Sequence, residues 1–522
     1  MTKLQKMLKK QWIYAIPIAI SAIVGIRKGY DPDVYDKYVS LWLILTGMFA
    51  FACVSLSSRR VFSPVFEKAA KIVCLFIPFA VCTIDMDTFW IVSVGRNILK
   101  YGFDKVDRIN FYHFHSIAQQ WLTAVTFAEI DHAAGMRGLM VFTALIGFLF
   151  IAVTYQTVRD TRIPWTITLC VMVVYMHYLS SRPFMISALL LAIEYLEYRR
   201  KRYWLIPVTG ILFINVHMAL WPMEILLLGT LLAESLFERT LSIEKVVCVG
   251  LIIPASLLNP YGVEGFMYPF HILSKNLSYI SEMASPVKYF TVGSIAFALE
   301  ILFVVQGAFT AIRQKKKFRI GPLIALAGTL GMTLTAGRHI VLTCIPLPYV
   351  LGNFATGEQL PQKDMVGQVM AGFAVLCLCT VFFADIKNNV QVPYKKAFDV
   401  LDRQPNGVLY TGMDPGGYAS YRGYHPYMDA RTEPHYKIYN GKFDWWDEYI
   451  MSMGNAKTII NKYKFDYVLC VNNVDFSMQK EMKKMHSKVL YRDSRCTLYR
   501  CTPGEKTGNL KGKAGTKIPE LK

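Results

Sequence analysis

The chain has 522 residues, 53% of them hydrophobic and 14% aromatic, with a formal net charge of +20 and a mean hydropathy of +0.31. Apolar runs of helix-spanning length recur from Trp12 to Phe383, which excludes an ordinary soluble enzyme and points to many membrane crossings. The runs are continuous over roughly 15 to 20 residues, so a β-barrel with its shorter alternating segments is excluded, and the basic residues bunch in short loops and a Lys-rich tail, where they orient spans instead of binding nucleic acid.

At the start, Met1 to Gln11 carries four lysines and precedes an apolar run from Trp12 to Ile26. That is the outline of a signal peptide, but no small-residue cleavage site precedes Arg27, so the segment reads as a retained anchor. Spans are expected at 12–27, 39–57, 71–84, 137–157, 163–180, 184–198, 203–217, 219–236, 245–259, 294–312, 320–335, 339–354 and 366–384, about thirteen helices in all. Several are short, which calls for tilting, kinking or burial within the bundle. Alternate loops hold Lys3 to Lys10, Arg59-Arg60, Arg159 to Arg162, Arg199 to Arg202, Arg239 to Lys245 and Arg313 to Arg319, and such loops belong to the cytoplasmic side. With the N-terminus inside and an odd number of spans, everything after Ala384 lies outside. The expected fold is therefore an α-helical polytopic membrane protein with a small C-terminal extracytoplasmic α/β domain.

The first outer loop, Asp85 to Gln120, is more than a tether. Thr88 to Tyr101 has the periodicity of an amphipathic interfacial helix and Trp121 to Ala134 of a second, together roofing a cavity open to lipid. Beyond residue 390 charges and turn residues rise. Strand-like runs at Gly407 to Thr411, Phe465 to Val471, Lys488 to Arg492 and Cys496 to Cys501 alternate with helical stretches around 443–463 and 475–485. The Gly- and Lys-rich end of the chain reads as disordered. Eight of the eleven cysteines fall in or beside apolar runs as packing residues, and Cys470, Cys496 and Cys501 are odd in number, which argues against a disulfide framework but leaves room for one pair.

Polar residues that membrane orientation does not explain gather on the outer side. Asp85-Met86-Asp87 leaves an apolar helix just before Thr88-Phe89-Trp90, and charge at that depth usually has a function. Such a pair can act as a general base on a hydroxyl or can hold a divalent cation, Mg2+ or Mn2+, bridging a diphosphate, or it can be a solvated loop feature. Arg182, held extended by Pro183, can bind a phosphate bidentately or anchor a headgroup. Arg338-His339 poses the same choice. His217 follows Asn215 at a tight turn and is a candidate binding residue or a buried structural histidine, and Glu300 is an intramembrane acid. His113 and His115 lack zinc-ligand spacing. In the outer part, Asp414 to Tyr418 reads as a turn into a helix, Tyr427 to Arg431 as the end of a strand where α/β folds place ligand groups, and Trp445-Trp446 as packing.

Taken in order, Asp85 to Trp90, Gly95, Ile98, Gly102, Trp121-Leu122, Arg182-Pro183-Phe184, Asn215-Val216-His217, Leu258 to Gly262, Arg338-His339, Gly416-Gly417-Tyr418 and Asp429-Ala430-Arg431 resemble bacterial polytopic proteins related to the GT-C class of membrane glycosyltransferases. The resemblance spans roughly residues 80 to 503 and implies transfer of a sugar from a polyprenyl-phosphate carrier, at a bacterial plasma membrane, to an extracytoplasmic glycan or protein. It implies Asp85 and Asp87 as catalytic residues or metal ligands, and Arg182, His217, Asn259, Arg338, His339, Asp429 and Arg431 as substrate-binding residues. Glu282 is similar in place to an outer-loop glutamate of oligosaccharyltransferases, a third candidate metal ligand, although Tyr279 replaces the usual hydroxyl residue before it. Gln119-Gln120 stands where a His-Glu pair is common. The division implied is an N-terminal extension (1–70), a GT-C-like module with its outer-loop helices (71–260), an outer loop with further spans (261–389), the outer domain (390–503) and a basic tail (504–522). A transporter or scaffold that kept this fold without chemistry is the alternative; it should show inverted repeats and paired intramembrane charges, and the sequence offers one clear intramembrane acid.

Overall fold

A computed structural model describes residues 64–272, 292–313, 318–355, 393–431 and 433–501, with short pieces at 44–48, 50–51, 54, 285–288 and 315. The expected spans 12–27 and 366–384, most of 39–57, the tail 504–522 and Glu282 lie outside the described residues.

The helices of the bundle are α1 (Pro64–Val81), α2 (Met86–Tyr101), α3 (Trp121–Val158), α4 (Pro164–Tyr175), α5 (Pro183–Arg199), α6 (Leu205–Val216), α7 (Trp221–Phe237), α8 (Ile243–Gly250), α9 (Val263–Ile272), α10 (Val292–Arg313), α11 (Ile320–Thr335) and α12 (Leu347–Phe354). Their starts follow from local chemistry. Pro164 and Pro183 open α4 and α5, where a missing N–H costs nothing and the ring presets φ. Gly135 breaks α3 with φ 64° and ψ −167°, a conformation that glycine adopts without Cβ strain; the 121–134 and 137–157 segments expected separately thus meet end to end at that residue.

Among the described residues, three helices are long and apolar enough to cross a membrane by length and composition: Trp121–Val158, Met218–Phe237 and Gly293–Arg313. Pro164–Tyr175, Leu205–Val216 and Ile320–Thr335 are apolar but shorter, so the described residues do not reach the count of thirteen. The surface of the long helices is apolar, with Leu145, Leu149, Leu226, Val305 and Phe309 exposed, while Glu194, Glu224 and Glu300 are buried inside. That inversion of the soluble pattern is what a lipid solvent selects.

The C-terminal part, called the outer domain after its expected side of the membrane, contains α13 (Lys395–Leu401), β1 (Leu409–Thr411), α14 (Met413–Tyr421), α15 (Trp445–Gly454), α16 (Lys457–Tyr463), β2 (Tyr467–Val471), α17 (Phe476–Lys484), β3 (Lys488–Arg492) and β4 (Cys496–Arg500). The sheet order is β1-β2-β4-β3, parallel between β1 and β2 and antiparallel elsewhere. Its core is aromatic: the Tyr427 ring lies 5.4 Å from Trp445 and 5.2 Å from Tyr463. Cys470, Cys496 and Cys501 are free and buried.

Two sequence expectations change here. Tyr427 to Arg431 is not a strand end; it is an extended segment beside β1, tied by Tyr427 N to Leu409 O at 3.1 Å and by Thr411 Oγ1 to Met428 O at 3.0 Å. Residues 88–101 do form the expected helix, but its first turns are buried from Thr88 to Ser93 because α14 of the outer domain covers them. Phe89 meets Tyr418 and Tyr421 at ring distances of 4.9 and 5.2 Å, and Ser420 Oγ donates to Ser93 Oγ at 3.1 Å. On its other side α2 presses onto α3, where a Cβ at Gly95 would stand 1.9 Å from Ala124 O. The first turns of the helix are thus a core element between bundle and outer domain, while Leu99 and Tyr101 of its last turn remain exposed.

Candidate active site

Asp85 is the N-cap of α2, with φ −84° and ψ 157°, and its side chain accepts the Asp87 N–H at 2.9 Å. An Asp at this position satisfies one of the free N–H groups of the first turn and sits at the positive end of the helix dipole. Asp87 Oδ1 accepts from Trp90 Nε1 at 3.0 Å, one turn along the same helix.

The segment before α2 is zipped to the segment before α5. Thr83 N donates to Leu179 O and Ser181 N to Thr83 O, both at 3.1 Å, and buried Thr88 Oγ1 donates to Ser181 O at 3.0 Å. This register delivers Arg182, the extended N-cap residue of α5, onto both acids: its Nη2 lies 2.8 Å from Asp85 Oδ1 and 3.0 Å from Asp87 Oδ2. All three side chains keep between 22 and 26% of their surface exposed, so the cluster is held by protein on one side and open to solvent on the other. An ion pair of that exposure is weak enough to exchange partners.

A second group forms beside it. His217 Nδ1 is 3.3 Å from Ser187 Oγ, about one and a half turns into α5 from Arg182. Arg338 acts electrostatically on both His217 and His339, and His339 Nδ1 lies 3.3 Å from Met332 O. Met218 N donates to Gln119 O at 2.8 Å, and Trp121 Nε1 to Asn215 Oδ1 at 2.7 Å. The loops carrying Asp85, Arg182, His217 and Arg338 therefore converge at one end of the bundle. Asn259 stands apart in role. Its amide bonds Ser256 O and Gly262 O at 2.9 and 3.0 Å and accepts from Tyr261 N at 2.9 Å, so it shapes the turn that presents Tyr261.

Asp429 and Arg431 form a buried lock. Arg431 donates from Nη1 and Nη2 to Asp107 at 3.0 and 2.9 Å, from Nη2 to Asn110 Oδ1 at 2.7 Å and to Asp429 Oδ2 at 2.7 Å. Burial alone would raise the Asp429 carboxyl, but Arg431 and His435 beside it hold it well below the usual carboxylate range, and the same acids push Arg431 further up. Asp107 and Asn110 escaped sequence reasoning: an acid in a polar loop carries no signal when its partner is 324 residues away.

Between the first outer loop and the outer domain lies a cleft of ≈ 620 Å³ including its open mouth, with Trp90, Asn97, Gln119, Gln120, Tyr261 and Arg431 in its walls. Asp85 and Asp87 do not line it, but Trp90, which is bonded to Asp87, does.

Among the described residues, Asp85 and Asp87 do not by themselves make a divalent-cation site. Among the described residues no group of three or more His, Cys, Asp or Glu comes together to hold a metal ion. The Arg182 guanidinium already supplies positive charge between the two aspartates, and Glu282 lies outside the described residues. Deeper in the bundle Glu300 is not the only buried acid. Glu67 accepts from Trp165 N and Thr166 N at 2.9 and 3.0 Å, Glu234 pairs with Arg199 at 2.8 Å, and Glu194 and Glu224 face each other between α5 and α7. Sequence reading singled out Glu300 alone, although Glu194, Glu224 and Glu234 fall within the expected spans 184–198 and 219–236.

No family model matches the chain, and no curated protein is similar enough in sequence to count as a match. In structure the chain is similar to the archaeal oligosaccharyltransferase AglB from Archaeoglobus fulgidus, solved in complex with an inhibitory peptide and a dolichol-phosphate. Sequence identity is 9% and the TM-score 0.46, over 79% of this chain and 70% of that one. It is also similar to ArnT from Cupriavidus metallidurans, solved bound to undecaprenyl phosphate, at 13% identity and a TM-score of 0.48 over 83% of this chain and 97% of that one. The likeness is one of outline, and the chemistry of this chain rests on its own residues.

Proposed function

We propose that the chain is an integral membrane glycosyltransferase that moves a sugar from a polyprenyl-phosphate carrier to an extracytoplasmic glycan or protein. The observation that carries this reading is the partly exposed cluster of Asp85, Asp87 and Arg182 at the end of the bundle where the loops carrying His217 and Arg338 also lie. Two carboxylates beside an exchangeable guanidinium suit attack by a hydroxyl on a carbon whose leaving group is a phosphate. One aspartate takes the acceptor proton as the new oxygen–carbon bond forms. The carbon–phosphate-oxygen bond breaks, and Arg182 passes from the acids to the departing phosphate, where a bidentate contact is strongest. Arg338, His217 and His339 stand on the side from which the carrier phosphate is held, and the outer domain closes over the acceptor. No step is assigned to a metal ion.

A transporter without chemistry is the second reading, favoured by the facing acids Glu194 and Glu224. Consumption of lipid-linked sugar by purified protein in bilayer discs separates the two. Turnover that falls by about 10²-fold or more in Asp85→Asn or Asp87→Asn supports the transferase. Unchanged turnover in both variants removes the catalytic assignment, and sugar movement across sealed vesicles without new glycosidic bonds establishes the transporter.

A further inference from the structure

Gln119 and Gln120 close the first outer loop immediately before α3. Gln120 is 4% exposed. Its Nε2, and Oε1 of Gln119, are buried without a hydrogen-bond partner, and both residues line the cleft between the loop and the outer domain. A buried polar atom left unmade costs about 1–3 kcal/mol, so two of them kept in a cavity wall mark the place of a partner that arrives from outside.

The chemistry of that partner can be read from the wall. One free acceptor and one free donor on adjacent residues match a hydroxyl, which gives one hydrogen bond and takes another. Trp90 and Tyr261 add aromatic surface against which the C–H face of a sugar ring packs while its hydroxyls reach the amides. Most of the charge in the walls is already spent: Arg431 on Asp107 at 2.9 Å, and Arg108 on Asp104 at 2.8 Å. Glu433 also lines the cleft, and its carboxylate opposes an anionic ligand.

We propose that this cleft is a subsite for neutral sugar hydroxyls, so that the acceptor is a neutral glycan and neither a peptide nor an acidic polymer. The assignment rests on the glycosyltransferase reading and names its acceptor class. Trp90 joins the two sites, since it lines the cleft and places its N–H on Asp87.

The test is direct binding, independent of turnover. Full-length protein in bilayer discs is applied to an array of neutral, amino and acidic oligosaccharides together with a peptide library. Wild type should bind neutral glycans, and Gln119→Met and Gln120→Met, which keep side-chain length but lose the amide, should weaken that binding tenfold or more. Their thermal midpoints should be equal to or above wild type, because the unmet amide atoms are gone. Glu433→Gln, on the rim, should admit acidic glycans. Binding confined to peptides, a preference of wild type for acidic glycans, no glycan binding at all, or neutral-glycan binding unaffected in folded glutamine variants overturns the proposal. Glycan binding that survives while turnover ignores loss of both aspartates would leave the subsite standing and remove the transferase reading; loss of turnover without glycan binding would do the reverse.

Discussion

Arg431 reaches both carboxylate oxygens of Asp107, at 3.0 and 2.9 Å, and so fastens the outer domain to the first outer loop through a pair that is 7% and 2% exposed. Asp429 and Asn110 complete the acceptors around the guanidinium. Removing one partner leaves the other charged and buried. Arg431→Met or Asp107→Leu alone should cost about 3–5 kcal/mol, read as a lowered unfolding midpoint and as protease release of the outer domain. The site is four-sided, so a second apolar replacement recovers little while Asp429 remains.

Stability of the outer domain should depend on pH in two opposed ways. Burial pushes the Asp475 carboxyl up to about 6, against hydrogen bonds from Val471 N and Tyr410. Its folded form therefore holds a proton that the unfolded chain has released between pH 4 and 6. Stability is lost as pH rises through that window, by about 3 kcal/mol if the shift is fully expressed. Asp429 works the other way: its contribution is present above the unfolded carboxylate value and is lost as pH falls. Denaturant unfolding across pH 3 to 8 should show a maximum near pH 4 from these two groups, and Asp475→Asn should flatten its alkaline side. An unchanged alkaline slope in that variant would mean another group is responsible.

Asp85 has a structural duty as well as a chemical one, since it caps α2. Asp85→Ala should therefore lose about 1 kcal/mol of stability in addition to activity, whereas Asp85→Asn keeps a capping oxygen and isolates the carboxylate. Comparing their unfolding midpoints with their turnover separates the two effects. Arg182→Lys should lower turnover more than stability, because an ammonium cannot span two carboxylates or a phosphate in the bidentate way.

Two glycines permit the close approaches that place the site. A Cβ at Gly95 would stand 1.9 Å from Ala124 O, and one at Gly416 would stand 1.9 Å from Met428 O. Gly95→Ala and Gly416→Ala should each destabilise by about 1–3 kcal/mol, although alanine is the better helix former. At Gly229 in α7 nothing lies within 4 Å of the added carbon, and Gly229→Ala should stabilise by about 0.5–1 kcal/mol. Heat or detergent unfolding of the three variants decides it.

Much was legible in the chain because the signals were local. Hydropathy located most helices, Pro183 announced the start of α5, and the short strand-like run Lys488 to Arg492 coincides with β3. Asp85 drew attention through the cost of charge beside an apolar run. The described residues nevertheless reach three membrane-length helices, since hydropathy reports burial in any apolar surroundings and does not measure helix length.

What the sequence by itself determined was the class of solvent each segment prefers and the chemical capacity of its motifs. Which residues meet was decided only by the tertiary structure. Arg182 finds Asp85 and Asp87 through a backbone zipper between Thr83 and Ser181, Asp107 finds Arg431 across the domain seam, and α2 becomes buried because α14 settles on it. Those pairings join points tens to hundreds of residues apart, where local periodicity carries no information and packing alone sets distance. Periodicity cannot show which charge is neutralised by a neighbour and which is left for a substrate; here that depended on the zipper, the lock and the cleft walls.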